Sequence, residues 1–113
     1  MRASMDRVIG GDVINIEAPQ DRQYLKFVVR VSSCDFDSIN VRFYNSNGSA
    51  IKIDFSELRI GLVWNSETDV TTLGEFEEVN KFEEGFVILG DFGTIYVYCD
   101  QCSPSLNTLI TSC

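Results

Sequence analysis

From Tyr24 to Trp64 the chain alternates apolar and polar residues with a period of two, and this limits the folds open to it. In YLKFVVRV, Leu25, Phe27, Val29 and Val31 share one face, and Tyr24, Lys26, Val28 and Arg30 share the other. INVRFY sets Ile39, Val41 and Phe43 against Asn40, Arg42 and Tyr44. AIKIDFS sets Ile51, Ile53 and Phe55 against Lys52, Asp54 and Ser56, and LRIGLVW groups Leu58, Ile60, Leu62 and Trp64. Successive side chains of an extended strand point to opposite faces, so each run predicts a strand with one buried and one wet side. The runs are also rich in the β-branched and aromatic residues that suit a pleated surface. Between the second and third lies Asn45-Ser-Asn-Gly-Ser49. Its Asn-Gly pair readily takes positive φ, which predicts a hairpin joining strands 39–45 and 49–56.

Further strands are predicted at DVINIEA, closed by Pro19, at FVILGD (86–91) and at TIYVYC (94–99), the last two joined by a tight turn at Asp91-Phe92-Gly93. The stretch LGEFEEVNKFEEGF (73–86) breaks the alternation. Helical spacing groups Phe76, Val79 and Phe82, whereas an extended reading mixes core with charge, so a short helix near 75–83 or an acidic loop is expected. The expected fold is therefore a single all-β domain over 1–113. It is an antiparallel β-sandwich, jelly-roll or immunoglobulin-like, of seven or eight strands, with 103–113 a docking tail or edge strand. Sheets of this kind leave edges that invite a partner strand.

Charge narrows the partners. Residues 1–59 carry eight basic and eight acidic groups, whereas 60–113 carry nine acidic groups against Lys81 alone, so the whole excess of −8 lies in the second half. A phosphate backbone is held by clustered Lys and Arg, so direct nucleic-acid binding is not expected. No apolar run is long enough to span a bilayer. The start, MRASMDRVIGGD, lacks a signal-peptide pattern, so a chain that is intracellular as made, or one that has lost a leader, is expected.

Free thiols are then the default for Cys34, Cys99, Cys102 and Cys113. A disulfide, or a zinc site built from all of them, is the alternative. CDQC at 99–102 is followed by SPSLN rather than a helical pattern, which does not suit a thioredoxin-type site. No metal and no cofactor is expected.

The chain contains no histidine, which excludes Ser-His-Asp and Cys-His nucleophile systems. Phosphate-binding glycine loops and the nucleophile-elbow motif are absent. DFG at 91–93 matches a kinase tripeptide without the other kinase elements, and NGS at 47–49 reads as a hairpin tip. Glu75, Glu77, Glu78, Glu83 and Glu84 offer carboxylates for glycosidase chemistry, or with Asp91 for calcium, but neither a cleft nor a D-x-D-x-D-G loop is implied. No catalytic residue is assigned, and the expectation is a protein that is not an enzyme.

Interaction is the remaining role. Tyr24, Tyr44, Tyr96 and Tyr98 fall on the wet faces of their strands, where neighbouring rings would form an aromatic patch. Glu77, Glu78, Glu83 and Glu84 form the acidic counterpart. Trp64 shares an apolar stripe and is expected in the core. The segment CDFDSINVRFYNSNGSAIKI (34–53), with Asp35-Phe36, the Val41-Arg-Phe-Tyr44 strand and the turn after it, resembles segments of small β-sandwich modules in bacteriophage tail, fibre and capsid accessory proteins. That resemblance implies a structural role and carries over no functional residue. It leads to the expectation of a virion subunit, made in the host cytoplasm, that acts as a homo-oligomer or within a larger assembly of protein partners. The alternatives are an acidic DNA-mimic inhibitor and a carbohydrate-binding module using Tyr44, Trp64, Tyr96 or Tyr98.

Overall fold

The structure is a computed structural model that describes residues 8–31, 38–65, 70–98 and 106–111. Every regular element among them is a β-strand. In chain order these are β1 (Asp12–Glu17), β2 (Leu25–Arg30), β3 (Ser38–Asn45), β4 (Lys52–Leu58), β5 (Val63–Asn65), β6 (Val70–Thr72), β7 (Phe76–Phe82), β8 (Gly85–Gly90), β9 (Gly93–Tyr98) and β10 (Leu106–Thr111). Sheet A is four-stranded in the order β1-β2-β3-β10, sheet B is four-stranded in the order β4-β9-β8-β7, and β5 and β6 form a two-stranded ribbon. All the pairings are antiparallel. The all-β sandwich read from the alternation is the fold. Ten strands lie among the described residues rather than seven or eight, because β6 and β7 add to those expected from the sequence.

Sheet A supplies Val13, Leu25, Phe27, Val29, Ile39, Val41 and Phe43 to the core, each fully buried, and sheet B supplies Phe76, Ile88, Ile95 and Val97. The faces predicted for β2 and β3 are thus the faces observed. Phe27 is the hub: its ring centroid lies 6.0 Å from that of Phe43, 5.2 Å from Phe76 and 5.6 Å from Phe92. Edge-to-face pairs at this spacing add about 0.5–1.5 kcal/mol each beyond the area they bury. Phe92 comes from the tight turn between β8 and β9, so DFG is a core anchor. Its aromatic ring is fully buried and Gly93 takes φ +100° to complete the turn.

Two local expectations are overturned. Residues 76–82 form strand β7, paired with β8, and not a helix or a loop. A β-bulge between Phe76 and Glu78 explains the helix-like spacing. One inserted residue puts Phe76 and Val79, three apart, on the same inward side. Phe82 turns to the outer face, against Tyr96 and Tyr98.

The Asn45–Ser49 turn also forms, with Gly48 at φ +85° and its N–H donating to Asn45 O at 2.9 Å. It does not close a hairpin. β3 pairs with β2 and β10, whereas β4 pairs with β9, so this turn is the corner where the chain crosses from sheet A to sheet B. The corner is fastened by Ser49 N–H donating to Asn47 Oδ1 at 2.9 Å and by Asn45 Nδ2 donating to Ser49 Oγ at 2.9 Å. The tail segment β10 lies at the edge of sheet A, paired with β3, as an edge strand.

Candidate functional site

The largest departure from the expected burial lies between β4 and β7. Residues Ile60, Leu62, Val63 and Trp64 are 56, 77, 40 and 61% exposed. Trp64, expected in the core, is on the surface. The physical reason is the pairing: β5 bonds to β6 and to neither main sheet, so among the described residues no second layer covers its apolar side.

The segment is nevertheless firmly rooted. At its start Arg59 N–H donates to Phe92 O at 2.6 Å, and at its end Leu73 N–H donates to Val13 O at 2.9 Å while Val13 N–H donates to Gly74 O at 2.7 Å. An apolar arm thus leaves the sandwich at the β8–β9 turn and returns beside β1. Nothing lies within 4 Å of the place a side chain on Gly61 would occupy, so the arm stands in open space there. Sequence reasoning missed this arm because its alternation matches that of a core strand. The one legible signal was Gly61, which breaks the polar side of the stripe.

The tyrosines do not form one patch. Tyr24 and Tyr44 lie on the outer face of sheet A, whereas Tyr96 and Tyr98 lie on the outer face of sheet B. On sheet A, the Tyr24 hydroxyl donates to Glu17 Oε2, which holds the Glu17 carboxyl below the usual carboxylate range and the Tyr24 phenol above its own. Lys26 Nζ sits 3.7 Å from Glu17 Oε1. The Arg42 guanidinium lies 4.9 Å from the centroid of the Tyr24 ring. Gln23, Tyr24, Arg42 and Tyr44 line a shallow depression of about 300 Å³.

On sheet B, the rings of Tyr96 and Tyr98 are 6.4 Å apart and nearly parallel, at 21°, and Phe82 meets them edge-on at 6.3 and 5.7 Å. The charge of Glu57 raises the Tyr96 phenol.

Of the predicted carboxylates, Glu77 and Glu78 are on β7, Glu83 and Glu84 in the turn after it, and all are exposed. Glu77 is raised, first by partial desolvation and then by the charges of Asp91 and Glu75. Asp91 Oδ2 also accepts from Glu75 N–H at 2.8 Å. Among the described residues no group of three or more ligating side chains is placed to hold a metal ion. Cys34, Cys99, Cys102 and Cys113 lie outside the described residues, as do the side chains of β10.

No family model, no curated protein and no solved structure matches this chain.

Proposed function

We propose that the protein is a non-enzymatic assembly subunit that works through protein–protein contacts, in the class of virion accessory, tail or capsid modules that segment 34–53 resembles. The observation that carries this reading is the exposed apolar arm, Ile60 to Trp64, which follows the backbone bond of Arg59 to the sandwich and pairs with β6, itself followed by the backbone bonds of Leu73 and Gly74 to Val13. Apolar side chains of this size gain about 1.5–3 kcal/mol each on full burial. Part of that gain is offset by the cost of association, but an arm that ends in Trp64 supplies the kind of anchor that dominates protein interfaces. The partner that suits it is an apolar groove on a neighbouring subunit. Capsid or tail subunits are made in the host cytoplasm and end in the virion, which is the localisation this reading implies.

Light scattering of the pure protein, alone and with candidate virion components, tests the proposal. The wild type should self-associate or bind such a component, and Leu62→Asp should weaken that strongly by removing the arm's contact, while the circular dichroism spectrum is unchanged. A wild-type protein that stays monomeric at high concentration and binds no virion component would overturn it.

One observation favours a second reading, a carbohydrate-binding module. The near-parallel Tyr96 and Tyr98 rings with Phe82 lie on an open sheet face beside polar side chains, an arrangement on which sugar rings stack. Binding on a glycan array, lost in Tyr96→Ala, would establish it in place of the first.

A further inference from the structure

The outer faces of the two sheets are opposite in charge and alike in aromatic content. On sheet A, Lys26, Arg30 and Arg42 alternate with the buried residues of β2 and β3, beside Tyr24 and Tyr44. Among the described strand residues the carboxylates on this face are Asp12 and Glu17, and Glu17 is already engaged by Lys26 and the Tyr24 hydroxyl. Among these described strand residues cations therefore outnumber carboxylates three to two. On sheet B, the registers Lys52↔Tyr98, Asp54↔Tyr96, Glu57↔Thr94 and Glu78↔Leu89 place these side chains on the outer face. Carboxylates there outnumber cations three to one. They frame Phe82, Tyr96 and Tyr98, and Val87 and Leu89 complete a half-buried apolar centre.

We infer that the outer face of sheet B receives the outer face of sheet A of a second copy, in a head-to-tail contact. The inference rests on the assembly reading above and adds a second surface to it. Aromatic rings framed by carboxylates attract cations, and the guanidinium groups of sheet A supply them. A symmetric contact of either face with itself would set like charges together, which disfavours it. A contact between two different faces is heterologous, and because these two lie on opposite sides of the sandwich it extends into a row of copies rather than closing as a dimer.

Strand spacing of about 4.8 Å and a rise of about 3.3 Å per residue give each face roughly 20 Å by 20 Å, or about 800 Å² over both partners. Stable interfaces bury about 1,200–2,000 Å², so this contact alone is weak and sensitive to salt.

The test is sedimentation of the full chain at high concentration, carried out in the Leu62→Asp background so that only face-to-face association is measured. Association should weaken about tenfold or more when salt is raised from about 50 to about 500 mM. Arg30→Glu blocks the sheet A face and Glu57→Lys the sheet B face, so each variant alone should be monomeric. Mixed in equal amounts, they retain one good face each and should form a 1:1 pair that does not grow. Either variant assembling like its parent, a mixture that forms no pair, or no association at all in the Leu62→Asp background would overturn the inference. The last result would leave the arm reading standing if the wild type still assembles.

Discussion

Two stretches of this chain alternate in the same way and end in opposite environments. Leu25, Phe27, Val29 and Val31 are all buried, the first three completely. Leu58, Ile60, Leu62 and Trp64 repeat the pattern, but Leu58 is half-buried at the core's rim and the other three are exposed. Alternation reports which side chains share a face. It does not report whether another layer covers that face. For β2 the cover is sheet B, and above all the rings of Phe76 and Phe92. Among the described residues no such layer covers the arm, and the stripe that would be core elsewhere is left at the surface.

Breaking the covered stripe should have the largest effect. Phe27→Ala removes the ring that touches Phe43, Phe76 and Phe92, leaving a cavity between the sheets. Chemical denaturation should show a loss of about 3–5 kcal/mol. A loss under about 1 kcal/mol would mean that the two layers are not packed as described.

Disturbing the cover instead of the stripe should cost less. Gly93 takes φ +100°, and an added Cβ would lie 2.3 Å from Glu57 O. Gly93→Ala therefore strains the turn that inserts Phe92, and a destabilisation of about 1–3 kcal/mol is expected from the same measurement.

Breaking the uncovered stripe should leave stability nearly alone. Leu62 is 77% exposed, so the change in stability on Leu62→Asp should stay within about 0.5 kcal/mol. Association through the arm should nevertheless be lost. The contrast with Phe27→Ala is the sharpest form of the comparison: the same kind of position in the same kind of pattern, with stability changed in one case and assembly in the other.

The legible part of the molecule follows from this contrast. Strands β2, β3 and β9 were readable because their apolar faces are covered and their polar faces are wet, so the side-chain period matches the burial, and β8 was readable as a short apolar run bounded by a turn. The turn residues Asn47-Gly48 and Phe92-Gly93 were readable as turns because their backbone needs are local. Which strands a turn joins is not local. The Asn45–Ser49 corner and a hairpin ask the same of the backbone, and only the pairing of β4 with β9 separates them. The tyrosines were assigned to wet faces, but their division between two sheets depends on the same long-range pairing. The four glutamates were placed at the surface, yet the strand that carries Glu77 and Glu78 was hidden by its bulge.

That bulge is a third case, where the period itself shifts, and it yields the smallest prediction. Glu77 is the extra residue, exposed, and set near Asp91 and Glu75. Desolvation first, and then these like charges, raise its carboxyl above the usual range in the folded chain. A group whose folded pKa is raised favours the fold while it is protonated in both states. That contribution is lost as the pH rises from the unfolded value through the folded one. At neutral pH the ionised Glu77 therefore works against the fold. Glu77→Gln keeps the shape and removes the charge. Thermal melts should show a small rise in Tm at neutral pH, and the difference from wild type should shrink to nothing in acid below the ordinary glutamate range of about 4. A variant less stable than wild type at neutral pH would show that the Glu77 carboxylate is held by a favourable contact, and that the inserted residue is fixed by its charge rather than by the backbone of the bulge.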